Sequence, residues 1–222
     1  MLAHPLLKKE IFLIKQNLKK PIYYSSHRTR QSSKKTIIKT LENKINIKDS
    51  LKNNNKNILE IGFGTGSSVI ELYKNNKENY YCIESYNLGI DNLNKFIREQ
   101  NIKNIHVYHG DAIEIIENNF PDNSLDEILL FFPDPWPKNK HKKRRIINNF
   151  SASMFFRKLK KEGLIHFATD HINYAYNTKE IFSNLIKGKV IFNHNRRLRP
   201  VTNYEKRGIK RKNFIFDIIL KK

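Results

Sequence analysis

The sequence predicts an α/β domain built on an open parallel sheet, and three observations carry that prediction. The apolar run Ile128 to Phe132 has the length and character of a strand buried on both faces. Asn57 to Ile61 reads as a second strand, which runs straight into Gly62-Phe63-Gly64-Thr65-Gly66 and then into a helical stretch. Carboxylates recur at the carboxyl ends of successive strand candidates: Glu60, Glu84, Asp111, Asp134 and Asp170. Such convergence is where open α/β sheets place their ligands.

A chain of 222 residues suits one α/β domain with a full core. Its 42 Lys and Arg against 21 Asp and Glu leave a formal net charge of +21. That surplus costs self-repulsion unless a polyanion offsets it, so nucleic acid is the first partner to consider. Lys, Asn and Ile are enriched together, which makes part of the charge compositional. The informative cations are therefore arginines and tight clusters. Cys82 is the single cysteine. This points away from a disulfide or a Cys-based metal site and toward a reducing, cytoplasmic setting, with Cys82 as a small apolar strand residue. Lys8 and Lys9 interrupt the first apolar residues too early for a signal segment, and no apolar run is long enough to span a bilayer.

Taken in order, residues 1–50 read as a basic N-terminal arm and helix, and residues 51–222 as the main domain. Tyr23-Tyr24-Ser25-Ser26-His27-Arg28-Thr29-Arg30 fits either a solvated arm or one that wraps on RNA, with tyrosines to stack and arginines to pair phosphate. Ile37, Leu41, Ile45 and Ile47 suggest an amphipathic helix. The glycine turn leads to a predicted helix from Ser67 to Tyr73. A dinucleotide fingerprint would read G-x-G-x-x-G/A, but Ser67 occupies its third position. The spacing G-x-G-x-G at Gly62, Gly64 and Gly66 instead suits S-adenosylmethionine, which has no pyrophosphate to cradle.

Tyr80 to Ile83 reads as a strand ending in Glu84, whose carboxylate can accept both ribose hydroxyls of an adenosine or can be an ordinary strand-end charge. A helix is predicted over Asn87 to Gln100 and a strand over Ile105 to Tyr108. Asp111 then suits the amino group of adenine or the N-cap of a helix over Ala112 to Asn118. His106 and His109 have no third ligand at recognisable spacing, so no metal is expected.

Pro133, Pro135 and Pro137 bar the residues before them from the right-handed helical region, which predicts extended Phe132, Asp134 and Trp136. The Asp134 carboxylate and the Trp136 indole would then share one face. Lys138, Lys140, His141, Lys142, Lys143, Arg144 and Arg145 follow, leading into a predicted helix over Ile146 to Leu159. Cations at a helix N-terminus oppose its dipole by ~0.3–1 kcal/mol each when exposed. Their concentration there points to a docked phosphate. Carboxylate, ring and cations together suit a purine base with its phosphates. A strand over Gly163 to Ala168, a helix near Tyr174 to Ile186 and a strand near Val190 to Asn193 follow. Arg196 to Gly208 reads as a basic loop, and Phe214 to Leu220 as the last strand.

With these residues together, the chain resembles the bacterial tRNA (guanine-N7-)-methyltransferases of the TrmB type. The resemblance spans roughly residues 57–220. It rests on LEIGFGTG, the strand ending in IE, HGDA, FFPDPWPK with its basic tail, ATD, and RP-x-T-x-x-E-x-RG. It implies a Rossmann-like class I methyltransferase fold: a seven-stranded, mostly parallel sheet with helices on both faces and an antiparallel last strand. The implied activity is transfer of the methyl of S-adenosylmethionine to N7 of guanine 46 in the tRNA variable loop. By the same resemblance, Glu60, Gly62, Gly64, Gly66, Glu84, Asp111 and Asp134 contact the cofactor, and Asp134 is catalytic. Lys138, Asp170, Thr202, Asn203, Tyr204 and Glu205 fall on substrate-contacting positions. Lys140, His141, Lys142, Lys143, Arg144 and Arg145 fall on the RNA-contacting stretch. Asn203-Tyr204 departs from the Lys-Phe pair common there. The expected partner is tRNA, with no metal, no membrane and no obligatory protein partner, as a monomer or homodimer. Two rivals differ in class. An amino-methylating enzyme with a D-P-P-Y-like turn fits Asp134-Pro135-Trp136-Pro137 poorly. A non-enzymatic RNA-binding protein is opposed by the intact Gly62, Gly64, Gly66, Glu84 and Asp111 set.

Overall fold

The computed structural model describes residues 54–185, 190–193 and 199–222. The predicted arm and helix in residues 1–50, and Arg196 to Leu198 of the predicted basic loop, lie outside the described residues. Seven strands form one sheet: β1 Asn57–Ile61, β2 Asn79–Glu84, β3 Ile105–His109, β4 Leu125–Phe131, β5 Leu159–Thr169, β6 Val190–Asn193 and β7 Phe216–Lys221. Their order is β3-β2-β1-β4-β5-β7-β6. β1 to β5 pair in parallel, and β7 lies antiparallel between β5 and β6.

Strand alternation divides the core between the two faces of the sheet. Ile58, Tyr80, Cys82, Leu129 and Phe131 point to one face, where α1 (Ser67–Asn75) supplies Val69 and α2 (Asn87–Glu99) supplies Ile90 and Leu93. Leu59, Ile61, Tyr81, Ile83, Ile128 and Leu130 point to the other. There they meet Ile113 and Ile116 of α3 (Ala112–Asn119), Phe155 of α4 (Asn149–Lys158), and Tyr174 and Phe182 of α5 (Ile172–Leu185). The helices change face where the strand order reverses, between β1 and β4. The crevice beyond the carboxyl ends of those two strands is the switch point at which open sheets bind ligands.

Three elements depart from the sequence reading. The helix predicted from Ile146 begins at Asn149. Asn148 accepts from the backbone N–H groups of Phe150 and Ser151, while the Ser151 hydroxyl accepts from the N–H of Asn148 at 3.0 Å, a reciprocal cap that fixes the start. β5 begins at Leu159, which pairs with Leu125. The chain then turns through Glu162 at φ +64° and resumes pairing at Leu164. The stretch read as loop through Gly208 contains a helix, α6 (Asn203–Lys210). Thr202 starts it by accepting from the Glu205 N–H at 3.1 Å.

Candidate active site

On the β1–β3 side, the site is built on glycine backbone. Gly62, Gly64 and Gly66 adopt φ of +76°, +60° and +84°, a region that side chains rarely tolerate. Above Gly62 and Gly64 an added Cβ would meet nothing within 4 Å, so the turn presents open backbone. Gly66 has a different task, since its Cβ position lies 3.3 Å from Leu93 on α2. Gly89, which the sequence reading placed only as a helical residue, proves as important. A Cβ there would sit 1.7 Å from the Gly64 carbonyl oxygen, so α2 lies directly on the turn.

Glu84 fastens this turn from the end of β2. Its Oε2 accepts from the Gly64 N–H at 2.7 Å, and its Oε1 accepts from Ser85 N at 2.7 Å and Tyr86 N at 3.1 Å. Asp111 caps α3, with Oδ1 accepting from Ile113 N at 2.9 Å and Glu114 N at 3.1 Å. Glu60 lies beneath the turn, 1 % exposed. The Ser68 hydroxyl donates to its Oε1 at 2.5 Å, while Oε2 is buried with no hydrogen-bond partner among the described residues. Burial pushes its carboxyl up to about 7; the Ser68 hydroxyl opposes that rise and the Glu84 charge adds to it. A buried carboxylate oxygen without a partner, below two glycines open above, fits a ligand that brings a hydrogen-bond donor or a positive charge.

On the β4–β5 side, the site is built from side chains. Phe132 donates from its N–H to Ala168 O at 2.8 Å, and the chain then leaves the sheet. Phe132 and Trp136 are not extended, as the prolines had suggested. Their φ values are +54° and +40°. A following proline disfavours the right-handed helical region but leaves the left-handed one open, and the turn uses it on either side of Asp134. Asp134 reaches solvent, yet partial desolvation within the turn pushes its carboxyl above the ordinary aspartate range.

The cation cluster is likewise placed differently. It forms a separate 3₁₀ turn, Asn139–Arg144, and not the first turn of α4, so the helix-dipole reasoning does not apply to it. Lys138, Lys140, Lys142 and Lys143 are exposed, and the Arg144 guanidinium lies 4.9 Å from the Trp136 ring. Beside this turn, a groove of about 610 Å³ runs along α5, lined by Lys142, Asn173, Tyr176, Asn177 and Lys179 among others. Arg145 is set apart from its neighbours. Only 3 % exposed, it donates from Nε to the Pro135 carbonyl at 2.8 Å and lies 4.6 Å from the Tyr174 ring.

The late segment also divides. Tyr204 is exposed beside Arg207, and Asn203 is exposed at the helix start. Glu205 is 1 % exposed and pairs with Arg199 at 2.6 Å. Arg199 pairs in turn with Asp217 at 2.6 Å, and Asp217 with His166 at 2.7 Å. Burial pushes the Asp217 carboxyl up, but the hydrogen bonds from His166 and Arg199 outweigh it and hold it below the usual range. Asp170 accepts from Asn213 at 2.9 Å, and a Cβ on Gly208 would come within 2.9 Å of its Oδ2, so α6 packs directly on Asp170. The sequence reading gave no role to His166, Arg199 or Asp217, although Arg199 opens the RP-x-T motif. The available signal was Asp217 itself, a charge inside the apolar strand Phe216-Asp217-Ile218-Ile219-Leu220.

Comparison with known proteins places this chain in a family. Residues 54–218 match the model of a family described as putative methyltransferase. A tRNA (guanine-N(7)-)-methyltransferase of Francisella philomiragia is 39% identical over 193 residues, covering 85% of this chain and 84% of that protein. One of Neisseria meningitidis is 38% identical over 173 residues, covering 76% of this chain and 73% of that protein. Among solved structures, an antibiotic-related methyltransferase superposes with a TM-score of 0.55 at 16% identity, covering 79% of this chain and 92% of that one. A SAM-dependent methyltransferase from Archaeoglobus fulgidus gives 0.52 at 17% identity, covering 76% and 87%. At such identities the structures speak to the fold, which they share.

Proposed function

The chain belongs to the tRNA (guanine-N7-)-methyltransferase family, and from that we propose that it methylates N7 of guanine 46 in the variable loop of tRNA. The observation that carries this reading is the meeting, at one switch point, of the open glycine turn over Glu60 and the Asp134 turn with its exposed cations. S-adenosylmethionine, when bound, supplies a methyl on a sulfonium, which a ring nitrogen lone pair can take up directly.

The residues on the glycine side fit that cofactor. Glu60 Oε2 offers a buried acceptor for its ammonium group, Gly62, Gly64 and Gly66 offer close backbone, and Glu84 and Asp111 offer carboxylates for ribose and adenine. Guanine N7 carries an in-plane lone pair and no proton, so the protein must orient the base and stabilise charge; it need not deprotonate it. Asp134 is assigned to the guanine edge, where a carboxylate accepts from N1 and N2 and stabilises the positive charge that methylation places on the purine. Lys138, Asp170 and the segment from Thr202 to Tyr204 frame the base, while Glu205 is buried against Arg199. Lys140, Lys142, Lys143 and Arg144 take RNA phosphates, with the groove along α5 continuing that surface.

The test is methyl transfer from labelled cofactor to unmodified tRNA, followed by borohydride and aniline cleavage, which cuts at 7-methylguanosine. One cut in the variable loop is expected. Incorporation without that cut overturns the base assignment, and a cut elsewhere overturns the position. Asp134→Ala is expected to lower transfer by ~10³-fold with the fold intact, measured by single-turnover kinetics at saturating cofactor and by circular dichroism.

A further inference from the structure

Two buried arginines grip the Asp134 turn, one at its upstream end and one at its downstream end. Upstream, the Arg199 guanidinium lies 5.6 Å from the Phe131 ring and 5.4 Å from the Phe132 ring. Asp217 and Glu205 fix it there, each at 2.6 Å. Downstream, Arg145 donates to the Pro135 carbonyl and lies over Tyr174, whose hydroxyl accepts from Ile147 N at 3.2 Å. Between these two grips, Phe132 and Trp136 hold φ of +54° and +40°. Large non-glycine residues persist in that region only where their surroundings over-determine them. The arginines supply that constraint. At 3 % and 4 % exposure, they are not placed to meet a polyanion as Lys140, Lys142 and Lys143 are.

We infer that Arg145 and Arg199 are positioning residues that act through Asp134. They hold the turn so that its carboxylate meets the base in a fixed place, and neither contacts RNA. The inference rests on the assignment of Asp134 to the reacting base. It also takes Arg145 out of the RNA-contacting stretch to which the resemblance assigned it.

The experiment uses the full chain as wild type, Arg145→Lys and Arg199→Lys, each also combined with Asp134→Ala. Lysine keeps the charge and the apolar stem but loses the planar fork. Single-turnover methyl transfer at saturating cofactor is measured beside the affinities for cofactor and tRNA. We expect each single variant to lose ~100-fold in rate, the scale of an ångström of misplacement, with both affinities held within about threefold. In the Asp134→Ala background the same changes should add little, because the group they position is gone. An equal loss in both backgrounds overturns the inference, since the arginines would then act independently of Asp134. So does a wild-type rate accompanied by weaker tRNA binding and a shallower salt dependence, which would make Arg145 a phosphate contact. If Arg199→Lys does not fold, Phe132→Leu removes a facing ring without unpairing a charge and is judged by the same criteria. The wild-type reaction tests the proposed activity by itself; the ratios between variants test this inference.

Discussion

On the β1–β3 side of the switch point, the N–H groups of Gly64, Ser85 and Tyr86 converge on Glu84, and α2 packs its Gly89 against a peptide oxygen. On the β4–β5 side, the chain His166–Asp217–Arg199–Glu205 ties two strands to α6, and Arg145 ties the Asp134 turn to α5. The first half is held by backbone, through the positive φ of its glycines and the close contact of Gly89 on Gly64. The second is held by charge pairs and admits almost no loss of a partner. A cofactor of constant shape is suited by the rigid backbone half. Under the proposed function, side chains on several elements would meet a nucleotide drawn from a folded RNA. The two halves should therefore fail in different ways when perturbed.

The largest expected effect lies on the β4–β5 side. Glu205→Ala strips a buried carboxylate from Arg199, and breaking a buried pair costs ~3–5 kcal/mol. Urea unfolding should show that loss, while Glu205→Gln, which keeps an acceptor oxygen, should lose less. Glu84→Ala, on the backbone-built side, should cost only ~1–3 kcal/mol, because the freed N–H groups lie near solvent. Equal losses for Glu205→Ala and Glu84→Ala would erase the distinction between the halves.

The same distinction explains what was legible in the sequence. The glycine turn is contiguous, and its requirements for positive φ and close approach are written in one residue type, so Gly62, Gly64, Gly66 and Glu84 were readable together. The sheet was readable because Tyr80 to Ile83 in β2 and Ile128 to Phe131 in β4 are apolar runs flanked by turn residues, and β1 runs straight into the glycine turn. The side-chain half was only partly readable. Arg199, Asp217 and His166 are scattered in sequence, and only the fold brings them together. Arg145 looks identical to its basic neighbours in the one-dimensional string, and its burial follows from the 3₁₀ turn that ends just before it. The proline rule excluded one backbone region at Phe132 and Trp136 without saying which of the others the turn would choose.

A second prediction concerns Glu60, a buried carboxyl on the backbone-built side. Its folded value of about 7 lies above the ordinary 4.5. The stability tied to its protonated form is therefore complete below about 4.5 and is lost as pH rises through about 7. Glu60→Gln keeps a neutral, hydrogen-bonding side chain at every pH. It should match wild type near pH 4 and exceed it by on the order of 3 kcal/mol at pH 8, read from unfolding curves at both values. It should also bind S-adenosylmethionine more weakly at pH 8, because the amide carries no charge to meet the ligand's ammonium. A variant that gains stability and keeps full affinity would remove Glu60 from the cofactor site.

Gly89→Ala, expected to cost no more than Glu84→Ala, is the sharpest test of backbone rigidity. In Gly89→Ala the new Cβ falls 1.7 Å from Gly64 O and 2.9 Å from Gly64 C, and neither atom belongs to a side chain that can swing away. Either α2 or the glycine turn must shift. Overpacking of this kind costs ~1–3 kcal/mol, or roughly 5- to 150-fold if expressed in cofactor affinity. Gly163→Ala is the control. Its Cβ would meet Lys160 O at 2.9 Å and Asp126 O at 3.1 Å, at the opposite edge of the sheet from the turn. It should lower stability without changing cofactor affinity. Gly89→Ala should lower cofactor affinity and leave tRNA affinity as it was, because the exposed lysines and the Asp134 turn rest on other elements. If Gly89→Ala binds cofactor as tightly as wild type, the turn yields under an added methyl group. The cofactor half is then held by its carboxylates, as the other half is by its arginines, and the contrast between backbone and side-chain construction is lost.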